Sequence, residues 1–105
     1  MVDPHQVVVS LDGEVCDPTR PLLFADDLAA VRGDGVFETL LVRDGRARVL
    51  EAHLRRLTHS AAMLEMPPPD LDAWRRAVDI AVTEWSARTP VEGALRLVYS
   101  RGRET

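Results

Sequence analysis

Lysine is missing from this 105-residue chain: all 13 basic residues are arginine. No side-chain amine is available for a Schiff base, for a P-loop phosphate contact or for nucleophilic attack. Cysteine occurs once, at Cys16, which excludes an internal disulfide framework and fits a reducing cytoplasm. No apolar run approaches the ~20 residues of a membrane-spanning helix. The N-terminal "MVDPHQVVVS" lacks the basic-then-apolar order of a secretory signal. A basic footprint for nucleic acid is lacking too, since the net charge is -4. These absences leave a cytoplasmic globular protein with neither a nucleic-acid nor a membrane partner. Its length suits one domain, and a hydrophobic fraction of 46% is enough for a packed core. Arginine in place of lysine is also what GC-rich coding gives, so the bias alone assigns no function.

Two hairpin signals are present. "QVVVS" (Gln6 to Ser10) is a β-branched strand, followed by a turn at Asp12-Gly13 and a short return. "VFETLLVR" (Val36 to Arg43) alternates as a strand, Asp44-Gly45 is the second turn, and "RARVL" (Arg46 to Leu50) is its return. Between the hairpins, "CDPTRP" reads as loop and "LLFADDLAAVRGDG" has room for one helical turn before Gly33-Asp34-Gly35 breaks it. Leu50, Leu54, Leu57, Ala61 and Leu64 then recur at helical spacing, and Pro67-Pro68-Pro69 is expected to stop that helix. Asp70 is placed to cap a second helix with Leu71, Trp74, Val78, Ala81 and Trp85 as its apolar stripe, ending at Thr89-Pro90. "GALRLVYSRG" alternates again, with Leu95, Leu97 and Tyr99 opposed to Arg96, Val98 and Ser100. Strands followed by helices predict an α+β domain, a mainly antiparallel sheet with two helices packed on one face. The chain ends on "SRGRET", just past a strand, and reads as part of a longer protein.

Chemistry-bearing residues are few. The first helix carries His53, Arg55, Arg56 and His59. Arg55 has Glu51 four residues before it, a favourable helix pair. Arg56 has no carboxylate at its three- and four-residue neighbours, so its planar fork is free for an external anion such as phosphate. A solvated surface arginine is the commoner outcome of such spacing. Gly33-Asp34-Gly35 is a lone GxG, more often a bend than a ligand loop. His53 and His59 are six apart, and neither they nor Cys16 show metal-ligand spacing, so no metal is expected. Glu38 and Asp34 are a candidate carboxylate pair, but the commoner reading makes Glu38 a strand residue on a partly polar face. Alternation places Phe37 and Thr39 on one face of their strand and Glu38 on the other.

The order and spacing of "RGDGVFETLLVRDGRARVLEAHLRRLTHSAAML" resemble the N-terminal domain of the class IV aminotransferases, the fold-type-IV enzymes that use pyridoxal 5'-phosphate (PLP). The family pattern is a "GDGVFET"-like segment, a strand, an "NG" or "DG" hairpin and "LEEHLxRLxxSAxxL". With its flanking strands the resemblance covers nearly the whole chain. It implies that residues 1–105 are the N-terminal domain, with the Schiff-base lysine in a C-terminal domain beyond Thr105. It gives Arg56 the role of binding the PLP phosphate, His53 that of a structural histidine, and Phe37 a place beside the substrate pocket with Thr39 on the same face. No catalytic residue falls on this chain, and alone it is expected to be inactive. The "DDLAAVRGDG" stretch departs from the commoner "DRGFxYGDG", so Asp27 and Arg32 receive no role.

Within the family, Phe37-Glu38-Thr39 differs from the "FEG" of branched-chain enzymes and suits 4-amino-4-deoxychorismate lyases. The implied activity is elimination of pyruvate from 4-amino-4-deoxychorismate to give 4-aminobenzoate, a folate precursor. A branched-chain or D-amino-acid aminotransferase is the alternative within the family, with an amino acid as substrate. A free-standing binding module on the same scaffold is the alternative outside it. The resemblance also implies a homodimer.

Overall fold

The computed structural model describes residues 6–20 and 35–101. The helical turn expected in "LLFADDLAAVRGDG", with Asp27, Arg32, Gly33 and Asp34, lies outside the described residues, as do His5 and the last four positions.

Strands β1 (Val8–Val9) and β2 (Val15–Cys16) form the first hairpin, with Val8 opposite Cys16. They are shorter than the sequence suggests. The chain leaves the ladder at Ser10, whose N–H donates to Glu14 O at 3.0 Å. The Asp12 carboxylate takes the Glu14 N–H at 3.2 Å, and Gly13 supplies the positive φ of +92° that the bend needs. This hairpin is a sheet of its own.

The main sheet has β3 (Gly35–Arg43) at its centre, flanked by β4 (Arg46–Ala47) and β5 (Gly93–Ser100), all antiparallel. Asp44 and Gly45 both have positive φ, 52° and 70°, as a two-residue type I′ hairpin demands. Strict alternation along β3 buries Val36, Glu38, Leu40 and Val42 and exposes Phe37, Thr39, Leu41 and Arg43. The return strand, expected to reach Leu50, ends at Ala47. Val49 turns left-handed (φ 50°) and the chain enters helix α1 (Leu50–Met63) directly.

Helix α1 lays Leu54, Leu57 and Ala61 against the sheet, each fully buried. Burying such a leucine contributes about 1.5–3 kcal/mol. The three prolines do not end this helix. Glu65 takes a positive φ of 57°, its N–H donates to Ala62 O at 3.0 Å, and the Met66 N–H donates to Ala61 O at 2.9 Å. That is a Schellman closure, with buried Met66 as its hydrophobic contact. It leaves Leu64, which shares the helical spacing of Leu50, Leu54, Leu57 and Ala61, exposed at the helix cap. Helix α2 (Leu71–Arg88) starts where expected, with Asp70 accepting the Ala73 N–H at 3.2 Å. Trp74, Val78 and Val82 complete one core with Leu40, Val42 and Leu97. Tyr99 meets Trp74 edge-on at 6.1 Å and donates its hydroxyl to Pro67 O at 2.8 Å, tying the proline linker to β5. The architecture is the expected α+β domain with both helices on one face of an antiparallel sheet.

Candidate functional site

The pleat of β3 sends Glu38 inward between Val36 and Leu40, where it is 7% exposed. This corrects its placement on a partly polar face. A carboxylate so deeply buried is costly unless it is hydrogen-bonded. The partner comes from α1: the His53 Nδ1–H donates to Glu38 Oε1 at 2.7 Å. Arg56 lies three residues further along, on the same side of the helix. Its Nε stands 3.7 Å from the same Oε1, within charge–charge range and beyond hydrogen-bond length. The Arg56 side chain is 71% exposed, so one guanidinium edge faces a fixed carboxylate while most of the group meets solvent.

Its neighbour Arg55 is differently placed. The helix pair expected between Arg55 and Glu51 is replaced by a contact across helices. Arg75 of α2 holds the Glu51 carboxylate through two bonds, Nε to Oε2 at 3.0 Å and Nη2 to Oε1 at 2.8 Å, and also reaches Asp72 at 2.9 Å. Those bonds hold the Glu51 carboxyl below its ordinary range. A planar fork matched to a second helix outcompetes a local pair.

Phe37 and Thr39 lie on the opposite, outer face of β3. Arg96 of β5, paired in register with Thr39, stacks its guanidinium 4.6 Å from the Phe37 ring centroid, a cation–π contact. Val98 is the cross-strand partner of Phe37 and is exposed with it. The strand therefore separates the residues singled out from sequence. Arg56 joins Glu38 and His53 on the helix side, and Phe37 and Thr39 join Arg96 on the outer side. Glu38 and Arg96 were not put forward as site residues. The signal for Glu38 was its parity with Val36 and Leu40. That for Arg96 was its alternation with Leu95 and Leu97.

A cavity of about 340 Å³ lies away from both groups, between the first hairpin, α2 and β5. Among the described residues its walls include Val8, Val42, Val82 and Leu95 and carry no ionisable side chain. Among the described residues no three metal-ligating side chains cluster, and no helix is long and apolar enough to cross a membrane.

Known proteins resemble this chain in sequence and fold. The model of the family described as amino-transferase class IV matches residues 35–105. A bifunctional aminodeoxychorismate lyase / D-amino acid transaminase of Mycobacterium tuberculosis is 68% identical over 98 residues, which is 93% of this chain and 34% of the relative. The solved structure of a hypothetical aminotransferase from Mycobacterium tuberculosis, in its PLP-bound form, superposes with a TM-score of 0.91 at 68% identity. That match covers 93% of this chain and 35% of the other. The 4-amino-4-deoxychorismate lyase of Pseudomonas aeruginosa gives a TM-score of 0.64 at 32% identity, over 82% of this chain and 30% of its own. The chain thus spans about a third of the length of these relatives. With two thirds of its residues inside the family match and its fold the same as that of its relatives, the chain belongs to the class IV amino-transferase family.

Proposed function

We propose that this chain is the N-terminal, cofactor-anchoring domain of a PLP-dependent enzyme that acts as 4-amino-4-deoxychorismate lyase and as D-amino-acid transaminase. The observation that carries this is Arg56, whose guanidinium has its Nε 3.7 Å from a buried carboxylate and whose side chain is otherwise largely exposed. Such a group fits a phosphate: it is permanently charged, planar, and offers paired donors to two oxygens. Among the described residues, Glu38 is the carboxylate beside Arg56 that opposes an anion there. Its charge is already engaged by His53 at 2.7 Å, which leaves the outer part of the guanidinium to a ligand.

When bound, PLP supplies the electron sink that lets a bond beside an amino-bearing carbon break. This chain's residues bind and orient. Arg56 holds the phosphate on the helix side of β3, whereas the substrate-pocket role of Phe37 and Thr39 belongs to the opposite face of that strand. The covalent bond to the cofactor needs a side-chain amine, and this chain has no lysine to supply it. Lyase activity releases pyruvate and 4-aminobenzoate, which places the enzyme in folate biosynthesis. The transaminase activity is favoured by the Mycobacterium tuberculosis relative, which is a bifunctional aminodeoxychorismate lyase / D-amino acid transaminase. The single half-buried Cys16 suits a cytoplasmic location. Exposed Phe37, Leu41 and Val98 on one sheet face suit a covered face in a homodimer.

The test is turnover by the full-length protein loaded with PLP. We expect 4-aminobenzoate from 4-amino-4-deoxychorismate, and amino transfer from a D-amino acid to a 2-oxo acid. Amino transfer from L-branched-chain amino acids, with neither of those reactions, would overturn the assignment in favour of a branched-chain enzyme.

A further inference from the structure

We infer that Glu38 is the positioning residue for Arg56, with His53 fixing the carboxylate that aims the guanidinium at its anion. The inference rests on the phosphate role of Arg56 and concerns what makes that role work. Three observations carry it. Glu38 is 7% exposed on the core face of a strand whose other inward residues are Val36, Leu40 and Val42. Packing alone would favour an apolar residue there. Its Oε1 is shared by His53 Nδ1 at 2.7 Å and Arg56 Nε at 3.7 Å. Finally, Arg56 is 71% exposed, and among the described residues its one recorded ion pair is with Glu38. A long exposed arginine samples many rotamers and loses that freedom when it holds a ligand. A buried anion beneath Nε removes part of that loss in advance. It also occupies the Nε side, so that the two terminal nitrogens remain together as the ligand-binding edge.

The sign of the effect separates positioning from simple charge. If Glu38 acted only through its field, its negative charge would repel a phosphate, and neutralising it would tighten binding. If Glu38 positions Arg56, neutralising it loosens binding although the site becomes more positive.

The experiment measures PLP affinity of the full-length protein by spectroscopic titration for Glu38→Gln, Arg56→Ala and the double variant. His53→Asn serves as a second probe of the same link if Glu38→Gln does not fold. We expect Glu38→Gln to weaken PLP binding several-fold. The ceiling is about 30-fold, equivalent to the rotamer freedom of one arginine, about 2 kcal/mol. Glu38→Asp should restore part of it. On the Arg56→Ala background Glu38→Gln should change nothing further, because the residue it positions is gone. Equal or tighter binding by Glu38→Gln would overturn the inference. So would a loss of the same size on both backgrounds, which is the mark of a merely structural role. Unchanged affinity in Arg56→Ala alone would instead remove the phosphate role itself, so the two failures are distinct.

Discussion

Replacing Gly93 by alanine tests how tightly β5 is locked to α2. A Cβ built on Gly93 falls 2.7 Å from Trp85 Cζ2 and 2.8 Å from Cε2, far inside the ~3.5–4.0 Å at which carbon atoms attract. Neither side yields easily. The indole is fixed by its Nε1–H, which donates to Val91 O at 2.9 Å. The backbone is fixed by the ladder, in which Gly93 pairs with Val42. Overpacking of this kind costs about 1–3 kcal/mol. Release of the indole bond adds about 1 kcal/mol. Alanine's smaller unfolded-state entropy returns about 0.4–1 kcal/mol. The net expectation is a loss of about 1–3.6 kcal/mol, read as a lower urea midpoint at unchanged slope. The same substitution on a Trp85→Leu background should cost much less, because the ring it strikes is gone. An equal cost on both backgrounds, or a raised midpoint, would refute the clash.

Val49, 71% exposed as a residue, enters α1 in the left-handed region, a costly backbone state for a β-branched residue. Val49→Asn should raise stability by about 1 kcal/mol, since asparagine tolerates that backbone and caps helices; a lower thermal midpoint would contradict this. The Glu51 carboxyl is held below its ordinary value of 4.5 by hydrogen bonds from Arg75. A depressed carboxyl contributes stability above its unfolded pKa and loses it as pH falls through the folded one. Arg75→Ala should therefore flatten the acid limb of the stability profile below about pH 4.5, less so in high salt; identical profiles would show that the cross-helix pair is inert.

Local pattern carried most of the fold. The three- and four-residue spacing of Leu50, Leu54, Leu57 and Ala61 gave α1. Asp44-Gly45 gave the hairpin, and Asp70 gave the start of α2. What pattern could not carry was partner choice across the chain. Glu51 looked committed to Arg55 four residues away, yet it binds Arg75 from 24 residues away, because helix packing brings a better fork. Glu38 was placed on a face shared with apolar residues, but its burial depended on a histidine 15 residues later. The early end of the return strand turned on one left-handed valine, a state that valine's own propensity disfavours. The Schellman closure ahead of the prolines likewise used Glu65 where glycine is the usual signal.

Whether Arg56 is a phosphate anchor is read most directly from the preference of the full-length protein for PLP over pyridoxal, which lacks the phosphate. Arg56→Ala should shrink that preference by about 10- to 150-fold, since a charge-assisted bond of about 1.5–3 kcal/mol is lost with the guanidinium. Arg55→Ala, on the same helix and with Glu51 held by Arg75 instead, should leave the preference within about twofold, as expected of an exposed charge. The same preference in wild type, Arg55→Ala and Arg56→Ala would contradict the assignment and return Arg56 to the solvated surface.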